Sequence, residues 1–332
     1  MKTMEKVRLI DIAEQLGLSV ATVSNVLNGK HHKISPKTEQ MVLQAIQESG
    51  YLPSRAEVLL ARNPRSLIGF VVNDHPIYEG IPFEDPFIAR TLSALIQHAN
   101  ANGLDVVVRS AKLWEEIAEF ASTWNMKGLV LTGFCKTDYE PLRRQLHIPM
   151  VVYGVGSGSF VRSEDGYVGV SNDDFEGGKL MGKHLIEKGC QNVLCHVFAI
   201  EEPDSDRVMG LQAAGLETHY QIVPPLKEDR FKLYDKIAYD HYSAVFCTSD
   251  LLALELIRYL KTRGIQVPQD ILVCGFDGIQ AGEFCSPSLT TVAQNYNEQA
   301  KAALDAILKN GPGCLSKPIL IERESTSRDE KL

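Results

Sequence analysis

From residue 66 onward the chain alternates short apolar runs with stretches of helical periodicity, and this rhythm limits the fold more than any other feature. The runs are "LIGFVV", "DVVVRS", "GLVLTG", "PMVVYG", "NVLCHVF", "YQIVP", "AVFCT" and "ILVCGF". Between them Phe87–Asn102, Glu176–Lys188, Leu251–Arg263 and Glu298–Lys309 carry apolar side chains at helical spacing. Strand then helix, repeated, predicts parallel sheets in an α/β layer fold. So many units over this length predict two open sheets, hence two lobes. Ligands of open α/β sheets bind beyond the carboxyl ends of the strands, and two lobes would face those ends across a cleft.

The first 65 residues follow a different rhythm. A helix is expected over about Leu9–Leu16, with Ile12, Ala13 and Leu16 on one face and Gly17 as its stop. Ser19 is a good N-cap for a second helix ending near Asn28-Gly29. A third has Ser35 as cap, Pro36 in its first turn and Gly50 as stop, with Val42, Ala45, Ile46 and Ser49 repeating at helical spacing. The first pair has helix-turn-helix dimensions, although a plain three-helix bundle has the same spacing. In "LSVATVSNVLNG" the apolar residues are Val20, Val23, Val26 and Leu27, with Thr22, Ser24 and Asn25 between them. That helix offers hydroxyls and an amide on its outer side instead of charges.

The chain has 332 residues, 44% hydrophobic and 23% charged, an ordinary globular composition. Its net charge of −8 is uneven: residues 1–65 hold nine Lys or Arg against six acids, so the rest carries −11. A mildly basic head on an acidic body fits a nucleic-acid-binding module joined to a regulatory domain. No run of about 18 apolar residues occurs, so no membrane span is expected. No apolar leader opens the chain, so a cytoplasmic protein is expected. Seven scattered cysteines without C-x-x-C (Cys135, Cys190, Cys195, Cys247, Cys274, Cys285 and Cys314) read as reduced, mostly buried thiols. Cys190, Cys195 and His196 are spaced too loosely for zinc. No catalytic triad, carboxylate pair, metal site or cofactor motif stands out, so the chain is not expected to be an enzyme. "GVGSGS" (Gly154–Ser159) lacks both a G-x-G-x-x-G pattern and a Lys-Ser/Thr ending, and reads as a crossover between lobes. "GGK" (Gly177–Lys179) falls inside a helical stretch, and His31 and His32 fall in a solvated loop.

The segment "RLIDIAEQLGLSVATVSNVLNG…ISPKTEQMVLQAIQESGYLPS" resembles the DNA-binding head of the lactose-repressor (LacI/GalR) family of bacterial regulators. "SNDDFEGGKLMGKHLIEKG", "SDRVMG", "SDLLALELIRYLKTRGIQVPQDILVCGFDG" and "PSLTTVAQ" resemble that family's effector domain and stand in its order. The likeness covers nearly the whole chain. It implies an all-α helix-turn-helix head (1–52), a hinge helix or linker (53–65), and a two-lobed α/β effector and dimerisation domain (66–332) like periplasmic binding proteins. One lobe would take about 66–160 plus 295–317, the other about 161–294 plus 318–332.

The resemblance also assigns residues. Val20, Ala21 and Asn25 fall at base-reading positions: Asn25 suits a bidentate contact to adenine, and Val20 and Ala21 suit thymine methyls. Thr22, Ser24 and Asn28 suit phosphate contacts, with helix capping or solvation as the alternative. Leu60 falls at the hinge-helix wedge that enters the minor groove. Glu57 and Val58 depart from the usual Ala and then Arg or Gln, and a carboxylate there meets phosphate repulsion. In the cleft, Arg207 of "RVMG" and Asp277 of "CGFDG" fall at ligand-holding positions, with an Arg–Asp pair bridging the lobes as the alternative. Asp173 is a further acid near the pocket, and Ser249 replaces an Asn that some members use on ligand. Phe87 of "EDPF" would stack on a sugar, with Tyr78 and Phe83 close by, and "HPIYEGIPFE" lengthens this loop. The expected partners are double-stranded operator DNA, a second copy of the chain through surfaces such as Phe87–Asn102, and a small-molecule effector. A sugar or glycoside is the expected effector, with a purine or a phosphorylated sugar as the alternatives. A sugar-binding protein or sugar-metabolising enzyme without DNA function is the reading from another class.

Overall fold

The computed structural model describes residues 9–27, 34–49, 67–134, 136–156, 167–201 and 203–328. Asn28, Cys135 and the hinge 53–65 with Glu57, Val58 and Leu60 lie outside the described residues. The chain divides into two units between Ser66 and Leu67.

In the first unit, helix α1 (Leu9–Leu16) ends at Gly17, whose φ of +62° is one that side-chain-bearing residues avoid. The Leu18 N–H closes the cap on the Ala13 carbonyl at 2.9 Å. The Ser19 hydroxyl accepts the Thr22 N–H at 3.1 Å and starts α2 (Val20–Leu27). Ser35 does the same for the Thr38 N–H at 3.2 Å, and Pro36 opens α3 (Pro36–Ser49). Ile12, Ala13, Val23, Val26, Val42 and Ala45 form the core. Val20 opens α2 and does not join that core: it is 41% exposed and shares the open face with Ala21.

The second unit runs β1 (Leu67–Asn73), α4 (Pro86–Ala101), β2 (Asp105–Ala111), α5 (Trp114–Thr123), β3 (Gly128–Thr132), α6 (Lys136–Gln145), β4 (Met150–Tyr153) and β5 (Tyr167–Asn172). It continues through α7 (Asp174–Glu187), β6 (Asn192–Val197), α8 (Asp204–Ala214), β7 (Glu217–Ile222), α9 (Lys227–Tyr234), β8 (Ala244–Cys247), α10 (Asp250–Thr262) and β9 (Leu272–Asp277). The last elements are α11 (Ala281–Phe284), β10 (Thr290–Ala293), α12 (Tyr296–Lys309), β11 (Cys314–Ser316) and β12 (Ile319–Ile321). Two six-stranded sheets result, ordered β11-β5-β4-β3-β1-β2 and β12-β10-β9-β8-β6-β7. Every pairing is parallel except that of β12 with β10. Strands β3, β4, β8 and β9 are buried at every position, which is why their sequences are apolar up to the terminal Thr132 of β3 and Asp277 of β9 and do not alternate.

The chain passes between the sheets at Asp173, at Gln294–Asn295 and at Lys317–Pro318. The expected first crossing near residue 160 is therefore displaced. β5 pairs with β4 from Met150↔Tyr167 to Tyr153↔Val170, so the first lobe extends to Asn172. The segment Gly154–Ser159, of which 157–159 lie outside the described residues, stands in sequence between β4 and β5, two strands of one sheet, so the change of sheet comes later. The open edge of β4 takes "YVGVSN" as its neighbour before the chain leaves the lobe.

Helices α7 and α8 pack backbone to backbone. A Cβ on Gly178 would lie 1.9 Å from the Arg207 carbonyl oxygen, and one on Gly210 would lie 2.2 Å from that of Phe175. Glycine is required at both positions, and the contact sets Arg207 beside the first turn of α7. In the core of the second lobe the His196 ring stacks on Tyr234 at 5.3 Å, and neither ring nitrogen has a hydrogen-bond partner. Burial holds its pKa down at about 3, against an ordinary 6.5.

Gly178→Ala is expected to cost about 3 kcal/mol, the upper end for overpacking, because a backbone oxygen cannot move aside. Alanine's better helix propensity returns only about 1 kcal/mol. Urea unfolding measures the balance, and an unchanged midpoint would show that the helices have room. His196 supplies a pH test. The unfolded chain takes up its proton below pH 6.5 while the folded chain stays neutral to about 3, so this group's contribution to stability is lost as pH falls through that window. The loss is about 2 kcal/mol at pH 5. His196→Phe should remove that part of the acid sensitivity, and parallel pH profiles for variant and parent would contradict it.

Candidate functional site

The side chains that converge in the second unit come from the carboxyl ends of strands in both sheets, where open α/β sheets bind ligands. Arg207, in the first turn of α8, is buried. Its Nε donates to Asp174 Oδ1 at 2.9 Å, its Nη1 donates to the Thr248 carbonyl, and its guanidinium lies 4.0 Å over the Phe276 ring. Burial alone would lower its pKa. The charges of Asp174, Asp277 and Asp204 outweigh that and raise it, so the cation persists. Burial lifts Asp174 to about 6 even though Arg207 pulls the other way. The ion pair of Arg207 is thus with Asp174, within the second lobe, and does not bridge the lobes.

Asp277 ends β9 with φ of +113°, a strained conformation for a residue with a side chain, costing about 1–3 kcal/mol. Gln294 Nε2 donates to its Oδ1 at 2.7 Å, and the Tyr296 hydroxyl donates to its carbonyl at 3.0 Å. Burial raises its pKa well above the carboxylate range, with Arg207 opposing and Asp250 and Asp85 adding to the rise. Asp250 is fully buried, accepts from the Thr291 hydroxyl at 2.6 Å and the Ile279 N–H at 2.8 Å, and is lifted by burial to about 7. Phe87 lies 6.0 Å from the Tyr296 ring and 6.2 Å from Tyr153. Arg90 lies 4.5 Å over the same Tyr296 ring and donates to the Gly278 carbonyl, tying α4 to the loop after β9.

A cavity of about 380 Å³ opens beside this cluster, bordered by Tyr78 and Asp85 of the first lobe and Phe198, Arg230, Ser249 and Glu255 of the second. Among the expected effector residues only Ser249 borders it; Phe87, Asp173, Arg207 and Asp277 do not. Asp85 and Tyr78 link cavity and cluster, since the charges of Asp85 and Asp277 add to burial in raising the Tyr78 hydroxyl's pKa. Ser249 and Asp173 are also N-caps: Ser249 accepts the Leu252 N–H at 3.3 Å and Asp173 accepts the Glu176 N–H at 2.9 Å. Phe83 points toward solvent, 40% exposed.

In the head, Val20 and Ala21 are exposed while Thr22, Ser24 and Asn25 are partly buried. The Thr22 hydroxyl lies 2.8 Å from that of Ser19, so it is shared with the cap of α2. Asn28 and Leu60, the other two DNA-contact candidates, lie outside the described residues.

Sequence reasoning passed over Asp174, Asp250, Arg90, Gln294 and Tyr296. The first two had a signal. In "NDD" and "TSD", each at the end of a strand, the middle residue (Asp173 or Ser249) caps a helix and the acid after it turns inward. Among the described residues no group of His, Cys, Asp and Glu could hold a metal ion, and no helix is long and apolar enough to cross a membrane.

Two family models match the chain: "Bacterial regulatory proteins, lacI family" over residues 8–54 and "Periplasmic binding protein-like domain" over residues 183–326. The HTH-type transcriptional repressor PurR of Pasteurella multocida is 28% identical over 316 residues, covering 90% of each chain. The ribose operon repressor of Halalkalibacterium halodurans is 28% identical over 318 residues, covering 90% of this chain and 88% of that one. In structure, the lac repressor dimer bound to operator and the anti-inducer ONPF matches with a TM-score of 0.80 at 21% identity, over 97% of this chain and 99% of that one. The chain belongs to the lactose-repressor family of bacterial transcriptional regulators.

Proposed function

We propose that the protein is an effector-controlled repressor that binds a near-palindromic operator as a homodimer. The observation that carries this reading is the joining of two modules in one chain. One is a capped helix pair with Val20 and Ala21 exposed on its second helix; the other is a pair of parallel sheets with a polar cluster at their carboxyl ends. Val20, Ala21 and Asn25 read base edges, while Thr22, Ser24 and Asn28 hold phosphates and set the register. Leu60 is the minor-groove wedge of the hinge. Two-fold symmetry in the dimer is mirrored in the operator.

In the body, Asp277 and Arg207 hold the polar groups of a small molecule and Phe87 packs on its apolar face. Ser249 borders the space it enters, and Asp173 orders the helix beside it. Ligand changes operator affinity through the hinge 53–65, and for that it must bind the two states unequally. A sugar or glycoside is the effector in this reading. A purine is the second, because several relatives at 26–28% identity carry the name PurR. The protein acts in the cytoplasm, without turnover of its ligand; recovery of chemically altered ligand after incubation would favour an enzyme instead.

Selection of operator sequences from a random duplex pool tests the head. Asn25→Ala should weaken the selected operator about 10- to 100-fold, the worth of one bidentate base contact, and relax preference at one position per half-site. An unaltered preference would contradict the role given to Asn25. For the body, calorimetry against a sugar and nucleobase panel should find one class that binds. Asp277→Ala should weaken that ligand about 10- to 100-fold, the cost of leaving a buried polar group without its partner. Undiminished binding would remove Asp277 from the site.

A further inference from the structure

We propose that the cavity beside the polar cluster is an oxyanion subsite, which receives a phosphate or carboxylate carried by the effector and holds it with Lys227 and Arg258. This rests on the effector reading of the cleft and narrows its ligand to an anionic sugar derivative.

Three cations border the cavity: Lys227, Arg230 and Arg258. Arg230 is already committed. Its Nε and Nη2 meet the two oxygens of Glu255 at 2.8 and 2.9 Å, and its Nη1 donates to the carbonyls of Pro224 and Pro225. The bordering carboxylates are committed as well. Glu255 also accepts the Tyr234 hydroxyl at 3.1 Å, and Asp85 Oδ1 accepts the N–H groups of Phe87 and Ile88 at 2.9 and 3.2 Å. Lys227 and Arg258 are exposed and form no ion pair among the described residues. The Lys227 ammonium lies over the face of Phe231, 5.9 Å from the ring centroid. Two unspent cations therefore share one cavity with an arginine whose charge is already answered.

A carboxylate from the other lobe already docks at this edge. Glu79, on the lengthened loop after β1, accepts the Lys227 backbone N–H at 3.0 Å and lies 3.8 Å from Arg230 Nη2. It is the chain's own anion at the first turn of α9. An effector's phosphate or carboxylate would meet the same surroundings with two further cations, while Phe198 and Phe231 border the space left for its body. A guanidinium and an ammonium bordering one cavity suit an oxyanion and contribute nothing comparable to a neutral sugar. Such a ligand also competes with Glu79, so a contact between lobes within the chain gives way to one made through the effector.

Calorimetry with the full chain tests this, using glucose, glucose 6-phosphate and gluconate, then ribose, ribose 5-phosphate and ribonate. In at least one series an anionic member should bind about tenfold or more tighter than its neutral parent, as one charge-assisted contact would give. The phosphate and carboxylate arms show which anion the cavity prefers. Lys227→Ala with Arg258→Ala should bring the ratio of anionic to neutral affinity down to about one. The charge-retaining pair Lys227→Arg and Arg258→Lys should keep it, and the single alanine variants provide the test if the double variant fails to fold. Equal affinity for parent and anion, a preference that survives the double variant, or no binding of any anion at millimolar concentration each overturns the subsite. If the subsite falls in this way, operator release by a neutral sugar or a nucleobase, measured separately by gel shift, would leave the regulator reading standing.

Discussion

A guanidinium sealed away from water must be answered by charge and hydrogen bonds within reach, and in the second lobe that requirement organises everything around Arg207. Asp174 takes its Nε, the Thr248 carbonyl takes its Nη1, and Phe276 lies flat beneath it. Leaving such a cation unpaired would cost about 3–5 kcal/mol, so α7, α8 and the ends of β8 and β9 are bound to one another through it. The glycines at 178 and 210 belong to the same constraint, since only their missing side chains let the two helices approach closely enough. The result is a positive centre surrounded by Asp174, Asp204 and Asp277, held rigid at the carboxyl ends of the strands.

Three single side chains carry polar contacts from the first lobe to that base. Tyr296 reaches the Asp277 carbonyl, Arg90 reaches the Gly278 carbonyl, and Glu79 reaches the first turn of α9. Each is polar and tied to one acceptor or donor, unlike the apolar cores that hold each sheet and its helices together. Lobes joined by a few polar contacts can change their mutual angle at small cost while each lobe stays intact. The strained backbone at Asp277 stands where those contacts converge, so a ligand there acts on the joint between two stable bodies.

Much of this was legible in the residues. Short apolar runs flanked by glycine or proline, such as "GLVLTG" and "ILVCGF", read as strands covered on both faces, and Gly17, Ser19, Ser35 and Pro36 each carry a local reason for ending or starting a helix. The strands that escaped notice are short or hydroxyl-rich, "YVGVSN" and "TTVA" among them, and they decide where the chain changes lobes. Val20 read as part of an apolar row, yet as the first residue of α2 it stands outside the core. The partner of Arg207 is 33 residues away in sequence, and spacing alone cannot reveal such a pair. The same holds for Arg90 and Gly278, 188 residues apart, whose contact exists only because the two lobes face each other.

Coupling between a head on DNA and a ligand in the body is a free energy, and linkage makes it reciprocal. The decisive measurement is therefore the affinity of the effector for the free protein and for the protein saturated with its selected operator. The account predicts two different dissociation constants, whose ratio equals the factor by which saturating effector changes operator affinity. Identical effector affinity in the two forms would mean that the cleft does not govern the head, and would contradict the account at its centre.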